Sequence, residues 1–338
     1  MPITLRPVRE QVIVITGATS GIGLATARLA ARRGARLVLA ARNGEALRRL
    51  TEEIEGCGGS ATYVVADVGN CDDVDRVARC AVDTYGRFDT WVNNAGVSLF
   101  GHIEDVSLQD MHRVFDTVFW GVVHGSRAAV RHFRERGDGA GALVNIGSFF
   151  GDRSTPLQST YASAKFAVHG FTEALRVELA AEKAPVSVTL VHPGRIDTPY
   201  NEHAQSYIDK QPAHRGMMYP PQAVAEAILY AAAHRKRDIY VGAQAKAMLA
   251  VKNVAPGLVD LVLRRYGYWS QHTGRAAEPL SGSALYQPGA GLRERGEHVG
   301  WKRGRSYYVK ASTHPVAAAG AALLLAGTAA ALARGLNR

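Results

Sequence analysis

The chain has 338 residues, 47% of them hydrophobic and 21% charged, with 40 lysines and arginines against 30 acidic residues for a formal net charge of +10. That balance excludes an intrinsically disordered chain, and 35 glycines, 13 prolines and 3 cysteines exclude a collagen-like repeat and a disulfide scaffold. The positive excess sits in residues 241–338, which carry thirteen basic and four acidic side chains, so the first 240 residues are close to neutral and the charge does not mark them as a nucleic-acid binder. Cys57, Cys71 and Cys80 show no C-x-x-C spacing, so neither zinc nor any other metal site is expected, and a reducing compartment fits. Arg6, Arg9 and Glu10 interrupt the N-terminus where a signal peptide would need an apolar run, which points to the cytoplasm.

Short β-branched runs then alternate with longer helical stretches as far as residue 242. A strand over 11–16 runs into Thr16-Gly17-Ala18-Thr19-Ser20-Gly21-Ile22-Gly23 and a helix over 21–33. Gly17, Gly21 and Gly23 permit a sharp turn and the close approach of a pyrophosphate to the helix N-terminus, where free N–H groups and the dipole favour anions; Ser20 and Ile22 belong to the same turn. The second strand, 36–41, ends at Arg42, and no acid stands closer than Glu45. An arginine here pairs with the 2′-phosphate of NADP where an acid would take the 2′-hydroxyl of NAD, so NADP(H) is expected over NAD(H). A helix over 43–55 and a strand over 61–66 lead to Asp67 and Val68, placed to reach an adenine. A helix over 72–85 and a strand over 89–93 lead to Asn93-Asn94-Ala95-Gly96, where the asparagines hold neighbouring strands and Ala95 and Gly96 leave the cofactor room.

A long helix over 108–136 precedes the fifth strand, 141–147, which ends at Ser148. The next helix, 159–182, carries Tyr161 and Lys165. At i and i+4 these two share a helical face, so the ammonium is expected to lower the phenol's pKa and let Tyr161 exchange a proton with a carbonyl or alcohol whose oxygen Ser148 also holds. Strands over 186–191 and 237–241 flank a last helix over 221–234. The alternation predicts an α/β fold with a doubly wound, Rossmann-like parallel sheet of seven strands and a ligand site at the strands' carboxyl ends.

Together the motifs resemble the short-chain dehydrogenase/reductase family over residues 8–242: the Thr16–Gly23 loop, Asn93–Gly96, Ser148 with Tyr161 and Lys165, and Pro193-Gly194 with Thr198. The resemblance implies NAD(P)(H)-dependent interconversion of alcohols and carbonyls and frequent homodimers or homotetramers. It also puts Tyr161 and Lys165 against the cofactor, with Pro193, Gly194, Ile196 and Thr198 bordering the nicotinamide. One departure stands out. The family's fourth catalytic residue, an asparagine three positions before Gly121 that holds a water beside the lysine, is replaced by Val118. A catalytically idle NADPH-binding sensor or scaffold is the alternative that this change leaves open. Tyr200, Tyr207, Met217, Met218 and Tyr219, with Leu99, Phe149 and Phe150, are expected to favour a bulky apolar substrate.

Beyond residues 1–243, the cofactor-binding domain, a basic extension over 244–312 begins with two short amphipathic helices broken at Pro256-Gly257. From Gly267 onward it reads as a linker or loosely ordered arm. Residues 313–338 contain an uncharged run, 316–333, in which ten of eighteen residues are alanine. Eighteen helical residues span about 27 Å, so this run is either a marginal membrane anchor that holds the catalytic domain at the cytoplasmic face or an Ala-rich helix packed on protein. The basic residues beside it suit anionic lipid heads better than nucleic acid, for which the arm contains no recognised module.

Overall fold

The computed structural model describes residues 3–137, 139–213, 215–242, 251–277, 283–298, 300–304 and 306–313. Seven strands form one parallel sheet: β1 (Val12–Thr16), β2 (Arg36–Ala41), β3 (Ser60–Val65), β4 (Thr90–Asn93), β5 (Gly141–Ile146), β6 (Val186–Pro193) and β7 (Asp238–Val241). Their order across the sheet is β7-β6-β5-β4-β1-β2-β3, so the chain reverses its direction of travel between β1 and β4. The helices between them are α1 (Gly21–Arg32), α2 (Gly44–Gly56), α3 (Cys71–Tyr85), α4 (Leu108–Phe115), α5 (Gly121–Glu135), α6 (Ser159–Ala181) and α7 (Pro221–Ala233).

Both faces of the sheet are covered, which is why its strands are apolar at nearly every position rather than alternating. Ile13, Ile15, Leu37 and Leu39 point into one apolar cluster with α1, α2 and α7. Val12, Val14, Val38 and Ala40 point into the opposite one, with α3, α5 and Trp91. The period-two alternation of the strand thus survives as a choice between two cores. The expected helix over 108–136 is interrupted: Asp116–Trp120 forms a π-turn between α4 and α5, a widening often found beside functional sites.

Beyond β7 the chain folds back over the body. Pro256–Val262 is helical, His272–Ala276 pairs antiparallel with Lys210–Pro212, and a short helix at Tyr307–Thr313 packs on α7 and β7. Residues 283–298, expected as a loose arm, instead run against the loop after β1; Leu285 is completely buried. The apolar run 316–333 lies outside the described residues. Among those described, no helix is long and apolar enough to cross a membrane.

Candidate active site

At the carboxyl ends of β1 to β6 lies a cleft of about 240 Å³. The switch of direction between β1 and β4 opens it, because the loops after those two strands turn to opposite sides of the sheet. From the first loop it is lined by Gly17, Ser20, Gly21 and Ile22. Arg42, Asp67 and Val68 line it after β2 and β3, and Asn94, Ala95 and Gly96 after β4. Ser148, Tyr161 and Lys165 join from β5 and α6, and Pro193, Gly194, Ile196 and Thr198 from the end of β6. Gly23 alone of the expected residues stands behind the wall. A Cβ there would lie 2.1 Å from the Gly17 carbonyl oxygen and 2.6 Å from Asn94 Nδ2, so its role is to let α1 press against the loop. Gly17 itself has φ +66°, a left-handed turn that only glycine adopts without strain. Asn94 Nδ2 donates to the carbonyls of Thr16 (2.9 Å) and Gly17 (3.2 Å), and Asn93 Nδ2 to Asn145 Oδ1 (2.9 Å), so the pair ties β4 to β1 and β5.

This cradle fits a dinucleotide. The N-terminus of α1 opens into the cleft, the glycine turn keeps side chains out of it, and Thr117 on its wall is 5% exposed with its buried hydroxyl lacking a hydrogen-bond partner, a polar group that a polar ligand can satisfy.

At the Tyr161 end, the tyrosine is 8% exposed and its hydroxyl hydrogen-bonds with those of Ser148 and Tyr200. Ser148 Oγ accepts from the Phe150 N–H at 3.1 Å, which leaves its proton for Tyr161. Tyr200 crosses the Tyr161 ring edge-on, with centroids 5.4 Å apart, and its hydroxyl accepts from Ser98 Oγ at 2.7 Å. Lys165 Nζ lies 5.8 Å from the Tyr161 ring centroid and donates to the Ile146 carbonyl at 2.7 Å. The expected lowering of the Tyr161 pKa does not hold in the free protein: burial pushes it up to about 12, and the Tyr200 and Ser148 hydrogen bonds offset this only in part. Burial likewise pushes Lys165 down to about 8. Both shifts have one cause, since a charged phenolate or ammonium loses its water in this wall.

Val118 is fully buried and belongs to the apolar cluster that contains Tyr161, Ala164, Val114 and Leu285. The position where the resemblance implies an asparagine is therefore core behind the tyrosine. Met218 and Tyr219 are also core, 1% and 3% exposed, and Met217 packs beside them; none of the three lines the cleft, in contrast to Tyr200 and Phe150. Phe150 meets the Tyr161 ring edge-on.

The Arg42 end contains residues that sequence reasoning missed. Arg42 donates to the carbonyls of Leu285 (3.0 Å) and Ala284, and Asn43 Nδ2 to that of Gly289 (3.0 Å). Arg113, from α4, pairs with Asp67 and donates to the Leu285 carbonyl at 3.1 Å. Burial, the largest single influence, opposes ionisation of Asp67, but the Arg113 hydrogen bond, the Gly69 N–H and the charges of Arg113 and Arg42 together hold the carboxyl below its ordinary value. The Leu292 N–H donates to the Thr19 carbonyl (2.7 Å) and the Gly21 N–H to that of Arg293 (2.9 Å). Ala284, Pro288 and Gly289 consequently form part of the cleft wall. Nothing in the periodicity of 283–293 signals this, because backbone carbonyls make most of the contacts.

A family model described as short chain dehydrogenase matches residues 11–208. An uncharacterized oxidoreductase of Bacillus subtilis, YxnA, is 59% identical over 318 residues, covering 94% of this chain and 89% of its own. Among solved structures, a short-chain dehydrogenase/reductase from Burkholderia phymatum in complex with NAD is similar at TM-score 0.67 and 28% identity, over 73% of this chain and 94% of its own. An alcohol dehydrogenase from the archaeon Thermococcus sibiricus, complexed with 5-hydroxy-NADP, is similar at TM-score 0.59 and 25% identity, over 68% of this chain and 95% of its own.

Proposed function

The chain belongs to the short-chain dehydrogenase/reductase family and is an NAD(P)-dependent oxidoreductase, and on that premise we propose that it reduces a bulky apolar carbonyl compound at the expense of NADPH, with Tyr161 as the proton donor. The observation that carries this reading is the Tyr161 hydroxyl, which meets Ser148 in the same cleft as the Gly17–Gly23 loop. With its pKa raised to about 12, Tyr161 holds its proton at neutral pH. It is thus an acid waiting for an oxygen that becomes basic as hydride reaches the adjacent carbon. The bound cofactor supplies that hydride. Ser148 shares the substrate oxygen with Tyr161. Lys165, buried and near neutrality in pKa, passes a proton back toward the tyrosine between turnovers.

The preference for NADP(H) rests on charge. At the Arg42 end two guanidiniums, Arg42 and Arg113, face one carboxylate, and that carboxylate, Asp67, is already taken by Arg113. Among the described residues a ribose 2′-hydroxyl finds no free acid there, whereas a 2′-phosphate finds positive charge that they do not compensate. Phe150, Tyr200 and the apolar cluster around Val97 and Leu99 favour an apolar substrate beside Tyr161.

The test is NADPH oxidation followed at 340 nm across a panel of aldehydes, ketosteroids, retinoids and quinones, repeated with NADH. At least one bulky ketone is expected to be reduced faster than acetone, and faster with NADPH than with NADH; equal rates with both cofactors would remove the charge argument.

A further inference from the structure

One turn beyond Lys165, α6 carries a buried polar side chain that the proposed chemistry does not touch. The His169 ring is 7% exposed and fills a slot between the two glycines that flank Ser148. A Cβ at Gly147 would lie 2.4 Å from its Nε2, and one at Gly151 2.5 Å. The loop that bears Ser148 therefore closes around an imidazole. Nε2 accepts the Ser148 backbone N–H at 3.3 Å, and Nδ1 faces Asp152 Oδ1 at 3.1 Å. A ring nitrogen that accepts an N–H has no proton of its own, so Nδ1 carries the proton and donates it to Asp152. Asp152 Oδ2 meets His192 Nδ1 at 2.9 Å, and His192 Nε2 lies 3.3 Å from Asp238 Oδ1, which also accepts from Arg176 at 3.1 Å.

We infer that His169 is a positioning residue for Ser148: its neutral ring, oriented by Asp152, holds the Gly147-Ser148 peptide so that the serine hydroxyl stays on Tyr161. This rests on the reductase reading above. Asp152, His169 and His192 offer ligand atoms within 4.8 Å of one another, a spacing that would suit a metal ion. Ligation through His169 Nδ1, however, would move the proton to Nε2 and set it against the Ser148 N–H, donor against donor. The serine contact thus selects a hydrogen-bonded relay over a metal site.

The relay is sensitive to acid. The groups facing His169 are Asp152 from the loop after β5, Lys165 on its own helix and His192 on β6; Asp238 on β7 and Arg176 on α6 stand behind His192, and Lys252 Nζ donates to the Asp152 carbonyl at 2.5 Å. Burial pushes the His169 pKa below its ordinary value, with the His192 and Lys165 charges adding to it and Asp152 opposing. Burial also opposes charge on His192, but the hydrogen bonds to Asp152 and Asp238 overcome it and raise its pKa. His169 is consequently neutral at neutral pH, and only below the ordinary histidine range does it gain the Nε2 proton that repels the Ser148 N–H.

The test uses the full chain and the carbonyl compound that the wild type reduces fastest. His169→Phe fills the slot without nitrogens and is expected to lower kcat by about 10- to 100-fold, the cost of a small misplacement of an acting group, while KM for NADPH stays unchanged. His169→Gln, which both donates and accepts, should restore most of that rate and remove the acid limb from the kcat–pH profile. A purely structural role would lower Tm in both variants without moving the pH profile. If Tyr161→Phe retains turnover, the reductase reading itself fails; if Tyr161→Phe is dead while His169→Phe keeps both kcat and acid limb, the positioning role alone is overturned. Should His169→Phe not fold, ¹⁵N spectra of the wild-type histidines decide, with an Nδ1–H tautomer expected for His169. An Nε2–H tautomer, or stoichiometric Zn²⁺ binding that is lost in His169→Gln, overturns the inference.

Discussion

One residue of the sheet and one of the segment that crosses its cleft reach the same burial by different means. Leu39 in β2 and Leu285 in the crossing segment are both fully buried. Leu39 is there because a parallel strand covered on both faces must be apolar throughout, and its neighbours repeat the instruction every second residue. Leu285 stands in a stretch with no period. It is held by Arg42 and Arg113, which grip the carbonyls of Ala284 and Leu285, and by the serine hydroxyl of Ser283, which meets Gln205. Side chains of the body thus supply the partners that a strand would find in its neighbour. An aperiodic segment can thus set a single leucine into the core when the rest of the fold offers donors to its backbone.

The largest effect should fall on the body. Tyr161→Phe removes the phenol proton proposed to reach the substrate oxygen and is expected to lower turnover by about 10²- to 10⁴-fold, with NADPH affinity by fluorescence titration changed less than about twofold. Loss of affinity equal to the loss of turnover would show that the tyrosine merely shapes the cofactor cleft.

The next bears on the segment. Leu285→Ala leaves a cavity beside Tyr161 and Val118 and should destabilise the full chain by about 2–5 kcal/mol in urea unfolding, as a core leucine does. A value near zero would reduce the segment to a surface attachment. Arg42→Ala tests where the two regions join. Losing a charge-assisted contact worth about 1.5–3 kcal/mol should weaken NADPH binding by roughly 10- to 100-fold and NADH binding far less. Equal weakening of both would assign Arg42 to holding residues 284 and 285 rather than to reading the cofactor.

The smallest effect is a pH dependence confined to the body. His192 has a folded pKa above its unfolded value because Asp152 and Asp238 accept from it, despite burial. Its contribution is therefore complete below the unfolded pKa and disappears as pH rises through the folded one. Tm should fall slightly over that window, and His192→Gln should flatten the slope. Asp152, held to about 2 against its burial by His169 and His192, runs the other way: its contribution is present above the ordinary carboxylate value and is lost as pH falls toward 2. A steeper acid loss in the wild type than in Asp152→Asn would support this sign.

Most of the sheet was legible in the sequence. The run Val12-Ile13-Val14-Ile15 and its six counterparts lie within two residues of the observed strands, because each is an apolar run bounded by turn residues. The glycine loop was legible for the same local reason: Gly17 needs its positive φ and Gly23 its close approach whatever surrounds them. The π-turn at Asp116–Trp120 was not, since its widening depends on what α4 and α5 pack against rather than on propensity. Met217, Met218 and Tyr219 read as pocket residues by type alone, yet the strand-like backbone there turns Met218 and Tyr219 inward.

The amino-acid sequence by itself determined the α/β alternation, the family and the meeting of Ser148, Tyr161 and Lys165 in one cleft, because these depend on periodicity and on spacing along single elements. Tertiary structure alone decided three things. The Tyr161 pKa is raised to about 12 rather than depressed, because burial outweighs its hydrogen bonds. Val118 is core because the turn that carries it packs behind that tyrosine. And Arg42 and Asp67 each have partners, in residues 284 and 285 and in Arg113, that lie far along the chain. Each of these is a matter of what comes near through space, and neither desolvation nor a carbonyl's hydrogen bond leaves a pattern in the order of side chains.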